Sequence, residues 1–150
     1  MAECINVTEQ NVKDLKQKCF EGVAAHRRDL CAKPDLKFLF FELTSQCNEY
    51  CKHCGSRCND IHNLNMLSTA EWKSVLDQVK EDFDLNSFTL AVTGGEPLLR
   101  PDFFEIMGYA HKLGYKWGMT TNGTLITPEV AKKLKEVGLA TISISLENLD

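Results

Sequence analysis

No uninterrupted apolar run in this 150-residue chain reaches the roughly 18 residues that a membrane-crossing helix needs. The start, Met1-Ala2-Glu3-Cys4, lacks a basic stretch followed by an apolar one, so no secretory signal is expected. An excess of charge of one sign is missing as well. Lys and Arg number 17 against 21 Asp and Glu, and the net charge of -4 gives no electrostatic reason to expect a nucleic-acid or membrane-surface partner. Internal repeats and low-complexity segments are absent. What remains is the profile of an ordinary globular domain, 43% hydrophobic and 25% charged, long enough to bury a real core. Cysteine, by contrast, is plentiful. There are seven, an odd number, and the cluster over 47–58 has no look of a disulfide framework. That favours a reducing cytoplasm and metal chemistry.

Two parts are expected, a helical extension over residues 1–35 and an α/β domain over 36–150. Val12, Leu15, Cys19, Phe20 and Val23 recur at helical spacing behind Thr8 as N-cap, so residues 9–27 should form an amphipathic helix packed on the main body. Cys19 falls on its apolar face as a small buried hydrophobe. After Pro34 the pattern becomes strand and helix in alternation. Strands are predicted over about 37–44, 87–93, 116–121 and 140–147. The intervening helices open at the capping box Ser68-Thr69-Ala70-Glu71, at Pro101, and at Thr127-Pro128, and the last two stop at Gly114 and Gly138. Such alternation argues a parallel sheet with right-handed crossovers.

Read two residues at a time, the strands show a shared polar face. Ile142, Ile144 and Leu146 suit packing under helices, whereas Thr141, Ser143, Ser145 and Glu147 are polar. Glu42 and Thr44, Thr89 and Thr93, and Gly118, Thr120 and Asn122 extend the polar set. A fully buried parallel strand should be apolar on both faces, so this set implies a cavity at the carboxyl ends, where parallel α/β folds bind ligands.

Between the first strand and first helix lies Cys47-Asn48-Glu49-Tyr50-Cys51-Lys52-His53-Cys54, spaced C-x3-C-x2-C. Thiolates are the usual ligands of iron–sulfur clusters, and a closed cubane takes four. Three leave one iron open, a position where a small molecule can be held and changed. Cys58 is a fourth thiol nearby, so the residues alone also allow a structural zinc module or a small electron carrier closed by Cys58.

The combination of C-x3-C-x2-C after the first strand with Gly94-Gly95-Glu96-Pro97 after the second resembles the radical S-adenosylmethionine (SAM) enzymes. Asn122-Gly123-Thr124 and Ser145-Leu146 are similar to family features too, and the likeness covers about Leu36 to Glu147. Glu42-Leu43-Thr44 and His53-Cys54-Gly55-Ser56 are most similar to the SPASM-type, peptide-modifying branch. The resemblance implies the N-terminal part of a partial (β/α)6 barrel, incomplete here after its fourth strand. It implies that Cys47, Cys51 and Cys54 hold a [4Fe-4S] cluster whose fourth iron is chelated by SAM. One electron then cleaves SAM to methionine and a 5′-deoxyadenosyl radical, which abstracts hydrogen from the substrate. His53 would lie against the adenine. Gly94, Gly95 and Glu96 would bind the amino group of SAM through the Glu96 carboxylate and exposed backbone, Ser145 would reach its ribose or carboxylate, and Asn122 would stand near the cofactor. A reductase, flavodoxin or ferredoxin would supply the electron, and a peptide or protein is the implied substrate. Glu147 departs from the family, where aspartate followed by glycine is common.

Overall fold

The computed structural model describes residues 8–33, 36–56 and 66–146. Expectations for Cys4, Cys58 and Glu147 lie outside these residues. The chain divides into two compact units, Met1–Asp35 and Leu36–Asp150. In the first, helix α1 spans Glu9–Ala32, five residues longer than its apolar spacing predicts. Thr8 caps it, its hydroxyl accepting from the Asn11 N–H at 3.2 Å. No residue of α1 is buried, Cys19 included, so the expected burial of that thiol is not what the structure has. A lone helix has nothing within its own unit to bury against.

The second unit runs β1 (Phe38–Glu42), α2 (Thr69–Asp82), β2 (Thr89–Thr93), a 3₁₀ turn at Pro97–Leu99, α3 (Phe103–Leu113), β3 (Trp117–Thr121), α4 (Pro128–Glu136) and β4 (Leu139–Ile144). The strands form one parallel sheet in the order β1-β2-β3-β4. The helices start where their local chemistry says. Ser68 and Glu71 close a reciprocal capping box, and Thr127 caps α4 with Pro128 in its first turn. Gly114, at φ +99°, ends α3 in the left-handed conformation that side chains resist.

The start of α3 is a correction. Pro101 lies in a turn and the helix begins at Phe103, with Asp102 at the N-cap position. Asp102 makes no side-chain cap because its carboxylate is taken by Arg100 and by the Thr69 hydroxyl.

Register sorts the sheet into two faces. Phe41, Leu90, Val92, Trp117 and Met119 share one, and there they bury against Trp72 and Leu76 of α2, Phe103, Ile106, Met107 and Ala110 of α3, and Leu134 of α4. Three helices on one face of a parallel sheet whose strands follow in chain order make an arc of a barrel. A doubly wound sheet would carry helices on both faces. Ile142 and Ile144 lie on the helix-bearing face as predicted. They are nonetheless 42% and 58% exposed, and Leu146 is 72% exposed, because β4 is the sheet's edge. The opposite face carries Phe38, Phe40, Glu42, Thr89, Ala91, Thr93, Gly118, Thr120, Thr141 and Ser143. No described element of this unit covers it.

Candidate cluster and cofactor site

Strand carboxyl ends gather the predicted residues, and main-chain pairing does most of the gathering. Beyond β1 and β2 the ladder continues through Leu43 N–H to Thr93 O, Gly95 N–H to Thr44 O at 2.8 Å and Glu96 N–H to Gln46 O at 2.7 Å. The Gly94-Gly95-Glu96 segment is therefore laid directly along the residues leading into Cys47. Glycine is needed at both positions. Gly94 has φ +149°, and a Cβ on either residue would collide with the Thr44–Cys47 backbone.

Glu96 is completely buried. Its carboxylate accepts from the Thr121 hydroxyl at 2.8 and 2.9 Å, the Asn122 N–H at 2.8 Å and the Leu98 N–H at 3.2 Å. These donors join the ends of β2 and β3. The side chain is thus turned toward the ends of β2 and β3.

Cys47 is half-buried, while Cys51, His53 and Cys54 are exposed. The Cys54 N–H bonds Cys51 O at 3.1 Å, forming a tight turn through Lys52 and His53. Among the described residues, no three His, Cys, Asp or Glu side chains converge closely enough to grip a metal ion. The donor set itself fits a cluster, being three cysteines on one short segment at the rim of the sheet. Cysteine binds metal as the thiolate, and like-charged thiolates repel one another, so a cation is what would draw these three together.

Ser145 is exposed at the end of β4, held by its N–H to Thr121 O at 2.9 Å. Asn122 follows β3, and its side-chain nitrogen lies 2.8 Å from Asn48 Oδ1 and 3.9 Å from Cys47 Sγ. The structure thus brings Gly94, Gly95, Glu96, Asn122 and Cys47 together, with Ser145 joined to the same end of the sheet through Thr121. His53 makes no comparable link to them.

Arg100 was not singled out by sequence. It is 6% exposed and bonds Leu43 O and Leu67 O, each at 2.7 Å, and Asp102 at 2.7 and 2.9 Å. Leu43 and Leu67 flank the whole cysteine-bearing segment, so one guanidinium ties both of its stems. The sequence shows only an arginine three residues past a strand-ending turn, which by itself signals nothing.

One-sided helices and candidate residues gathered at the strand ends define the class, an α/β barrel arc with its candidate site at the carboxyl ends. Residues 41–150 match the Radical SAM superfamily, and the chain belongs to that family. It is 42% identical over 112 residues to the Fe-coproporphyrin III synthase of Methanosarcina barkeri, covering 73% of this chain and 27% of that protein. To the mycofactocin maturase MftC of Mycobacterium tuberculosis it is 39% identical over 111 residues, with the same two coverages of 73% and 27%. The chain therefore spans under a third of the length of these relatives. Among solved structures, BtrN in complex with AdoMet and 2-DOIA superposes with a TM-score of 0.61 at 21% identity, over 73% of this chain and 45% of that one. Streptococcus suis SuiB bound to precursor peptide SuiA gives 0.59 at 22% identity, over all of this chain and 33% of that one. Both likenesses are of fold. The cofactor pair expected from the sequence, a [4Fe-4S] cluster and SAM, is the family's. No helix among the described residues is long and apolar enough to cross a membrane.

Proposed function

We propose that this chain is the cluster- and SAM-binding part of a radical SAM enzyme. When bound, the [4Fe-4S] cluster and SAM would supply one-electron reductive chemistry at the sulfonium of SAM. The chain's own residues bind and orient. Cys47, Cys51 and Cys54 would hold the cluster, and three thiolates would leave it a place for SAM. The glycine backbone of Gly94-Gly95 offers the SAM amino group a close approach, and Glu96 holds that segment against the end of β3. His53 lies against the adenine, Ser145 reaches the ribose or carboxylate, and Asn122 stands beside the cluster ligand Cys47. The observation that carries this reading is the direct main-chain pairing of the Gly-Gly-Glu segment with the entry to the cysteines.

The substrate we favour is a peptide or protein, since MftC is named as a maturase and SuiB was solved with a precursor peptide. A flavodoxin, a ferredoxin or a dedicated reductase in the cytoplasm provides the electron. Anaerobic reconstitution with iron and sulfide tests the core of the proposal. The expected result is a cluster whose electron paramagnetic resonance signal changes on adding SAM and is lost in Cys51→Ala. Tight zinc binding with no response to SAM would sink it, as would loss of the cluster in Cys58→Ala.

A further inference from the structure

We infer that Asn122 is a positioning residue that acts on the cluster through Cys47, its side-chain N–H hydrogen-bonding the Cys47 sulfur and raising the cluster's reduction potential. This rests on the reading of Cys47 as a cluster ligand. Cys47 Sγ faces two N–H groups, the Glu49 main chain at 3.5 Å and the Asn122 side chain at 3.9 Å. The orientation of the Asn122 amide is settled by its surroundings. The Thr124 main-chain N–H, which can only donate, points at Oδ1 from 3.0 Å, so the amide nitrogen must face the cysteine segment. A ring of three further bonds fixes it there. Asn122 Nδ2 donates to Asn48 Oδ1 at 2.8 Å, Asn48 Nδ2 to Thr124 Oγ1 at 2.8 Å, and Thr124 Oγ1 to Asn122 Oδ1 at 2.7 Å. Gly123, at φ +79°, makes the turn that brings Thr124 back onto Asn122.

With its oxygen taken by Thr124 and one N–H by Asn48, the Asn122 amide keeps a single donor hydrogen, and its nitrogen lies 3.9 Å from the sulfur. Reduction adds negative charge to cluster and ligands, so an N–H pointed at a ligand sulfur favours the reduced state. Asn48 sits between the first two cysteines in sequence, so the same ring also pins the segment to the end of β3.

The test is the midpoint potential of the anaerobically reconstituted chain, followed by electron paramagnetic resonance, in wild type, Asn122→Ala and Thr124→Val. Asn122→Ala should lower the potential, so that the reduced-to-oxidised ratio at a fixed poise falls about fivefold to tenfold, where tenfold is 59 mV for one electron. Thr124→Val opens the ring but keeps both the donor and the Thr124 main-chain N–H that orients the amide, so its potential should match wild type. An unchanged potential in Asn122→Ala with full iron content overturns the inference, and so does an equal shift in both variants. Should Asn122→Ala take up no cluster, Asn122→Gln decides, since it restores a donor. Rescue of the cluster at near wild-type potential supports the inference, and failure of rescue overturns it. A wild-type chain that assembles no cluster would overturn the family reading instead, which keeps the two failures apart.

Discussion

Glu96 is the residue on which the strand ends converge. A fully buried carboxylate with three donors around it is stable only while it accepts from all of them. Glu96→Gln is nearly isosteric but turns one acceptor oxygen into an NH2 group, which must then face either the Leu98 or the Asn122 main-chain N–H. Leaving such a donor unmatched costs about 1–3 kcal/mol. The melting temperature should fall by about 2–4 °C for each of those kcal/mol in a protein of this size, and scanning calorimetry checks it. Gly95→Ala acts differently. Its Cβ would strike Gln46 O and the Cys47 main chain, neither of which is a flexible side-chain end. It should therefore lower iron uptake on reconstitution by more than it lowers thermal stability, measured as iron per chain. The cysteines and glycines were legible because their chemistry and spacing lie within a few consecutive residues. The inward turn of Glu96 was not legible, since its partners Thr121 and Asn122 stand 25 and 26 positions away and only the folded sheet brings them close.

Among the elements, boundaries set by local chemistry were read well and those set by tertiary contacts were not. Ser68, Thr127 and Gly114 carry their roles in their own side chains or lack of one. The start of α3 was misplaced at Pro101 because Asp102, at the N-cap position, is held outside the helix by Arg100, and Arg100 in turn answers to carbonyls 57 and 33 residues away. That arginine joins β1, the lead into α2 and the start of α3. Arg100→Ala removes a 5%-exposed guanidinium and strands Leu43 O inside. Breaking a buried pair costs about 3–5 kcal/mol, and since the Asp102 side chain is 24% exposed the lower end is expected, read as a shifted denaturant midpoint. The same pair sets an acid dependence. The Arg100 hydrogen bond, ahead of the Thr69 bond and Coulomb attraction, holds the Asp102 carboxyl below its usual range against the opposing effect of burial. A depressed carboxyl stabilises the fold above its unfolded value of about 3.9, and that stabilisation is lost as pH falls through the lower folded value. The gap in melting temperature between wild type and Asp102→Asn should therefore narrow from about pH 5 to about pH 3. Glu71 and Glu129, also held low by hydrogen bonds at helix N-termini, are shared by both proteins and drop out of the difference.

For the α/β unit as a whole, the decisive feature is that one face of the sheet carries all three of its helices and the other carries none among the described residues. Alternation in the strands made the two faces legible, but the polar set was only part of the second one. Phe38 and Phe40 stand on it too, 62% and 67% exposed, in line with Glu42 on the same strand. A reading by polarity alone passes over them, because aromatic residues in a strand look like core. Their neighbours across the register are Thr89 and Ala91, with Gly118 beyond, all small. In a barrel arc this is the face turned toward the axis, so Phe40 should contribute surface to the lumen rather than stability to the helix-packed core. Phe40→Lys separates the two roles. Were Phe40 a core residue, a lysine there would unfold the domain. On an exposed face it should change stability by no more than about 0.5 kcal/mol. Meanwhile it should reduce the concentration-dependent light scattering that a bare aromatic face on an open sheet promotes. Phe41→Lys is the paired control. Phe41 is 4% exposed and packs its ring 4.7 Å from Trp72, so the same substitution one position along should abolish cooperative unfolding altogether.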